Sequence, residues 1–253
     1  MNDASWKAIF SKYKIHKHNF RKTHFLISAD QIKRATAHFK NTNEKEVRIL
    51  CKQDSREDRP QVFIENKVFL LPTRNGEYAI VRGEGYLDIP SIETTAKIYT
   101  SKLDFILDTS QVGNSEMQHL DFAYAASLIR TFLDDASLVL TIRGRKYTPK
   151  FSFKVGNQKL TAESVQTEVD AGYEGREQVV LIEAKNSHTD NVIIRQLFYP
   201  FRQWQHYTKK KVKTLFFEKR GNFYSLWQFE FSDISNYNSI RLTSSSRYEI
   251  IEK

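Results

Sequence analysis

The stretch VQTEVDAGYEGREQVVLIEAKN, residues 165–186, decides the fold, because it reads as two strands folded back on each other around Gly175. Its second arm carries the apolar run Val179-Val180-Leu181-Ile182, typical of a central strand, and closes on Glu183-Ala184-Lys185. Successive strand residues point to opposite faces, so Glu183 and Lys185 share a face while Ala184 points away. Directly opposed residues of an antiparallel hairpin also share a face, and an even-numbered loop such as Arg176-Glu177, or a bulge, is needed to set Asp170 against Glu183. One face then offers two carboxylates with an ammonium one step along.

Two carboxylates about 4 Å apart repel by roughly 4 kcal/mol at an effective dielectric of about 20, so a proton, a cationic side chain or a divalent ion must offset the clash. Oxygen-only ligands favour Mg2+, with Mn2+ able to substitute, over zinc. Such an ion could hold a phosphate oxygen and acidify a water, with Lys185 steadying that water or the charge developing at phosphorus. The bland alternative is a solvated edge stripe. The chain contains such a decoy, since Glu65-Asn66-Lys67 repeats the spacing between two apolar triplets, where a hairpin turn is expected.

Outward from the hairpin, Ser115 precedes Gln118 by three residues as in a capping box, and Met117, Leu120, Tyr124 and Leu128 recur at helical spacing, predicting a helix over 115–134. LVLTIRGRKYTPKFSFKVG (138–156) predicts two strands around a glycine turn. A second helix is expected over 190–207, with Ile193, Leu197, Phe201 and Trp204 on one face and Pro200 imposing a kink or an early end. VKTLFF (212–217) and FYSLWQFEF (223–231) are strand-like. The class is therefore α/β in the α+β sense, in the order α-β-β-β-β-α-β-β. A soft boundary at Gly113 separates an amino-terminal α+β region, 1–113, from a core, 114–253. In the former, strands are expected at Val47 to Cys51 and on either side of Glu65-Asn66-Lys67, a hairpin at Asn75-Gly76, and a short helix within 91–108. Segments 40–60 and 232–247 are the least regular.

Asp170 followed by Glu183-Ala184-Lys185 resembles the PD-(D/E)xK nuclease superfamily, and type II restriction endonucleases are the most similar of its members. The resemblance covers roughly 114–231, with Val169 in place of the motif's proline. It implies a restriction-endonuclease-like αβββαβ core, metal ligation by Asp170, Glu183 and the Ala184 carbonyl, and Lys185 beside the attacking water. It makes Glu116 on the first core helix a candidate fourth ligand, although a first-turn glutamate also favours the helix dipole. Gln166 and Glu168 share the face of Asp170 if their strand is regular. On the second helix Arg195, Tyr199 and Arg202 line up with Gln196 beside them, as phosphate contacts or as a solvated face.

The 253 residues carry a formal net charge of +9, which makes polyanions the first partners to consider. Basic residues cluster at Lys209-Lys210-Lys211 and in KYKIHKHNFRKTH (12–24), where Lys17, Arg21 and Lys22 are candidate DNA contacts. The single cysteine, Cys51, excludes a disulfide or cysteine zinc ribbon and is expected as a small buried residue. No apolar stretch approaches the roughly 20 residues that cross a bilayer, and MNDASWKAIF lacks a secretory signal's apolar core, so no membrane and a cytoplasmic location are expected. No Walker loop is present, and Gly83-Glu84-Gly85 lacks the third glycine of a dinucleotide loop, so no nucleotide cofactor is expected. The composite expectation is a sequence-specific double-strand DNA endonuclease of restriction–modification type, acting as a homodimer with one site per strand. A structure-directed repair or recombination nuclease and a non-catalytic DNA-binding module are the alternatives.

Overall fold

The computed structural model describes residues 2–252, the side chain of Gln111 aside. The amino-terminal third contains α1 (Asp3–Lys12), β1 (Phe25–Ser28), α2 (Ala29–Thr36), α3 (Thr42–Lys45), α4 (Val47–Leu50), α5 (Gln61–Asn66), β2 (Val68–Arg74) and β3 (Glu77–Arg82). There follow β4 (Tyr86–Asp88), β5 (Lys97–Thr100), α6 (Glu116–Ala125), α7 (Leu128–Phe132), β6 (Val139–Tyr147), β7 (Phe151–Val155) and β8 (Gln158–Ala162). The chain continues through β9 (Gln166–Glu174), β10 (Gln178–Lys185), β11 (Asn191–Ile193), α8 (Arg195–Tyr207), β12 (Lys211–Arg220), β13 (Phe223–Phe231) and β14 (Ile240–Ile251). The class is α+β, with sheets of mixed orientation.

The amino-terminal helices pack on an antiparallel sheet, β1-β3-β2, over a core that includes Trp6, Ile9, Phe63, Leu70 and Ile80. Its hairpin turns at Asn75-Gly76, as expected, with Gly76 at φ +76° where a side chain would strain the backbone. Two expected strands are helices instead. Val47 and Leu50 are the buried pair of α4, and α5 starts after Pro60 and ends at Lys67, which adopts the left-handed conformation. Apolar windows this short satisfy strand and helix spacing alike, so tertiary burial decides. Cys51 is partly exposed as a residue, yet burial pushes its thiol up to about 12.

The large sheet has seven strands in the order β5-β14-β13-β12-β10-β9-β6. Its centre is buried on both faces: Val180, Ile182 and Ala184 pack with Leu120, Leu128 and Ile129 of α6 and α7, whereas Val179 and Leu181 pack with Phe198 and Phe201 of α8. The expected helix over 115–134 breaks at Ser127, at φ +67°. Ser115 does cap α6 by accepting from the Gln118 amide, yet the Gln118 side chain turns away to the carbonyls of Thr109 and Ser110. Strands β6 and β7 form where expected but pair with β9 and β8, not with each other. The second helix begins later than expected, because 191–193 forms β11 against β4, and it runs through Pro200 to Tyr207 without ending early. Segment 91–108 holds β5 rather than a helix, and β5 lies parallel to β14, which occupies much of the stretch expected to be irregular. Among the described residues no helix is long and apolar enough to cross a membrane.

Candidate active site

The β9–β10 hairpin closes through a two-residue loop, Arg176-Glu177, with Gly175 N–H donating to the Gln178 carbonyl at 2.8 Å. Its ladder runs from Val179 opposite Glu174 to Ile182 opposite Ala171, so the next step sets Glu183 against Asp170. At that step the backbone ladder gives way, and the Ala184 N–H donates to Asp170 Oδ2 at 2.7 Å. On its other edge β9 bulges: Ile142 pairs with Gly172 and Gly144 with Val169, leaving Asp170 and Ala171 opposite Arg143 alone. A bulge of this kind re-aims a side chain, and here the residue concerned is Asp170.

Glu183 is 9% exposed. Its Oε1 accepts from Lys185 Nζ at 2.6 Å and from Gln196 Nε2, in the first turn of α8, at 2.7 Å. Lys185 Nζ also donates to the Ala184 carbonyl at 3.1 Å. Burial pushes Glu183 up to about 7 against the pull of Lys185, with Asp170 adding to the rise. Burial also raises Asp170, opposed by the Ala184 amide and Lys185. Burial disfavours the Lys185 ammonium, but its contact with Glu183 outweighs that and the group is raised.

These side chains line a cleft of about 420 Å³ whose walls include Glu116, Gln166, Glu168, Arg195 and Gln196. The expected set Asp170, Glu183, Lys185, Glu116, Gln166, Gln196 and Arg195 is thus brought to one place. Three parts of the expectation are corrected or displaced. Tyr199 also lines the cleft, but it is 1% exposed, packs on Phe151 and has its hydroxyl proton engaged by the Pro72 carbonyl at 2.9 Å. Arg202 donates to the carbonyls of Ser152 and Ile234 and stacks on Phe151, away from the cleft. Lys17, Arg21 and Lys22 are exposed on the amino-terminal region and do not line the cleft.

Sequence reasoning missed the contribution of the loop after α4. Lys52 and Asp54 form part of the cleft wall, and Asp54 lies 3.5 Å from Arg195 and 3.8 Å from Lys52. No periodicity marks a loop residue. The only signal was charge, in a segment where charges of both signs alternate.

Among the described residues no cluster of three or more His, Cys, Asp or Glu side chains is disposed to hold a metal. The oxygen set on offer is therefore two carboxylates and the Ala184 carbonyl, completed by water. That set fits a hard cation: Lys185 Nζ already bridges Glu183 and the carbonyl, so these oxygens face a positive charge. In a chain of net charge +9, the cleft wall holds five acidic side chains against three basic ones. Arg195 Nε and Gln196 Oε1 are buried there without hydrogen-bond partners, as expected where a polar ligand belongs.

Comparison with curated proteins and with solved structures gives no match. Residues 3–80 match a family described as domain of unknown function DUF6996. Residues 81–249, which include the whole of the β9–β10 hairpin and α8, match another, and the chain accordingly belongs to the family described as domain of unknown function DUF6997.

Proposed function

We propose that this protein is a Mg2+-dependent, sequence-specific double-strand DNA endonuclease of the PD-(D/E)xK type, most similar to type II restriction enzymes. The observation that carries this reading is the meeting of Asp170, Glu183 and Lys185 at the open end of one hairpin, within a polar cleft. The succession of α6 and α7, then β6, β9 and β10, then α8 and β12 accords with the helix, three-strand, helix, strand order of that superfamily's core.

Asp170, Glu183 and the Ala184 carbonyl are the groups that would hold the cation. When bound, that ion lowers the pKa of a coordinated water and offsets phosphate charge. Gln196 fixes the Glu183 carboxylate by its hydrogen bond. Lys185, whose ammonium lies beside Glu183, would hold the attacking water or stabilise charge gathering on the phosphoryl oxygens. DNA as the partner is supported by a groove of about 770 Å³ beside the cleft, which shares Lys52, Asp54, Gln166 and Arg195 with it. Its basic residues Lys33, Arg48, Lys52, Arg74 and Arg195 outnumber its acidic ones, as a path for a phosphate backbone requires. Two copies in a symmetric pair would give each strand its own site.

The test is digestion of plasmid DNA by the purified chain with Mg2+. A discrete ladder, together with Asp170→Ala and Lys185→Ala proteins that bind DNA without cutting it, is the expected result. Absence of cutting across many duplex substrates, or cutting retained by both variants, overturns the reading. Cutting confined to junctions or flaps would move the substrate class to repair or recombination intermediates.

A further inference from the structure

On the sheet face that carries Glu183 and Lys185, a row of paired positions continues toward β14. Lys185 pairs with Glu218, Glu218 with Ser225, and Ser225 with Arg247. Neighbouring strands lie about 4.8 Å apart, so this row spans roughly 14 Å. The adjacent pairs on the same face are Phe216 with Trp227 and Arg220 with Phe223.

Of these, Glu218, Arg220, Phe223, Ser225, Trp227 and Arg247, but not Lys185 or Phe216, form the floor of a second cleft, of about 300 Å³, whose wall is the segment 89–93. The segment is tied to the sheet: Trp227 Nε1 donates to the Pro90 carbonyl at 2.8 Å, and Arg247 donates to the Thr94 carbonyl at 3.1 Å. Three features point to a ligand. Glu218, 6% exposed, has one oxygen held by the Thr189 N–H at 3.0 Å, and among the described residues no hydrogen bond engages the other. Arg247 Nε is buried with no partner, although its guanidinium lies over the Phe223 ring at 5.2 Å. Phe223 is 39% exposed, a large ring left open beside two arginines, and Arg220 makes no salt bridge among the described residues.

We propose that this cleft binds a single unstacked nucleotide. The base stacks on Phe223 over the apolar floor, one of its N–H groups donates to the open oxygen of Glu218, and the phosphate is held by Arg220 and Arg247. The volume sits at the lower end of the roughly 300–1,000 Å³ usual for small-ligand sites. The cleft also communicates with the candidate active site, because His188 and Thr189 line both it and a trough shared with Lys185 and Gln196. The nucleotide is thus either a free monophosphate or one extruded from a strand lying along that trough. The site stands whether or not Asp170 and Glu183 cut DNA.

The test is calorimetric titration of the full chain with deoxynucleoside 5′-monophosphates in EDTA, which removes divalent ions from the other cleft. Deoxyribose 5-phosphate and inorganic phosphate serve as probes that lack a base. The monophosphates are expected to bind at least tenfold tighter than either, with Phe223→Ala and Arg247→Ala each losing tenfold or more and Lys185→Ala unchanged. Glu218→Gln is expected to reorder the four bases by affinity. Competition by an oligonucleotide with one unpaired nucleotide identifies the strand as the source; its failure to compete identifies the free nucleotide. The proposal is overturned if the monophosphates bind no tighter than deoxyribose 5-phosphate, or if the Phe223→Ala protein, altered at an exposed position, binds them as the parent does.

Discussion

Glu65-Asn66-Lys67 and Glu183-Ala184-Lys185 have the same acid-x-lysine pattern and entirely different physical situations. The first closes the short helix α5: Glu65 is exposed and accepts from Gln61 one turn back, and Lys67 leaves the helix in the left-handed conformation. The second closes a strand buried on both faces, where alternation puts acid and ammonium on one side within 2.6 Å. Spacing of two becomes a shared face only in extended chain. Chemistry then needs a further ingredient, which is burial enough to make the charge depend on its neighbours.

That contrast can be broken most easily at the level of rate. Lys185→Ala or Asp170→Ala is expected to lower the initial rate of plasmid cleavage by about 10²–10⁴, while Glu65→Ala and Lys67→Ala leave it within about twofold, since neither side chain touches the cleft. Equal losses in both triplets would erase the distinction. Next in size is the frame beneath the second triplet. A methyl group added at Gly172 would stand 2.7 Å from Ile142 Cβ, so Gly172→Ala should cost about 1–3 kcal/mol in denaturant unfolding.

The electrostatic half of the comparison is tested by pH. Burial raises Glu183 to about 7, so below that value the carboxyl keeps its proton and a cation must displace it. Magnesium affinity measured by titration calorimetry should therefore climb with pH, by up to about tenfold per unit below 7, and level off above it. Affinity flat between pH 5.5 and 8 would mean that Glu183 is not a ligand. The smallest effect belongs to the decoy. Lys67→Gly relieves a left-handed lysine at φ +55° and should stabilise the protein by about 1 kcal/mol, whereas the same change at Lys185 is expected to abolish the proposed cleavage.

The hairpin and its register were legible because they rest on local rules: alternation, a two-residue loop and an apolar run too long for an edge. The pairing of β5 with β14 was not, since it joins residues 97–100 to 248–251 and nothing local encodes a parallel partner so far away. The surroundings of Tyr199 and Arg202 were hidden for a different reason. Their spacing suits a helix face, but Leu197 through Phe201 are all buried, so that part of α8 has no solvated side on which such a face could lie. The candidate cleft was legible where its residues sit on regular elements. It was opaque at Asp54, whose place depends on how the amino-terminal loop lies against α8.

Asp170 also takes the Ala184 N–H that a continuing ladder would have used. One carboxylate is therefore both a rivet and, in the proposed reaction, a reagent. Shortening it to alanine strips the site and at the same moment leaves a main-chain donor orphaned at the hairpin's mouth, so an inactive alanine variant would confound lost chemistry with a loosened scaffold. Asparagine, which keeps an acceptor oxygen while discarding the charge, separates the two.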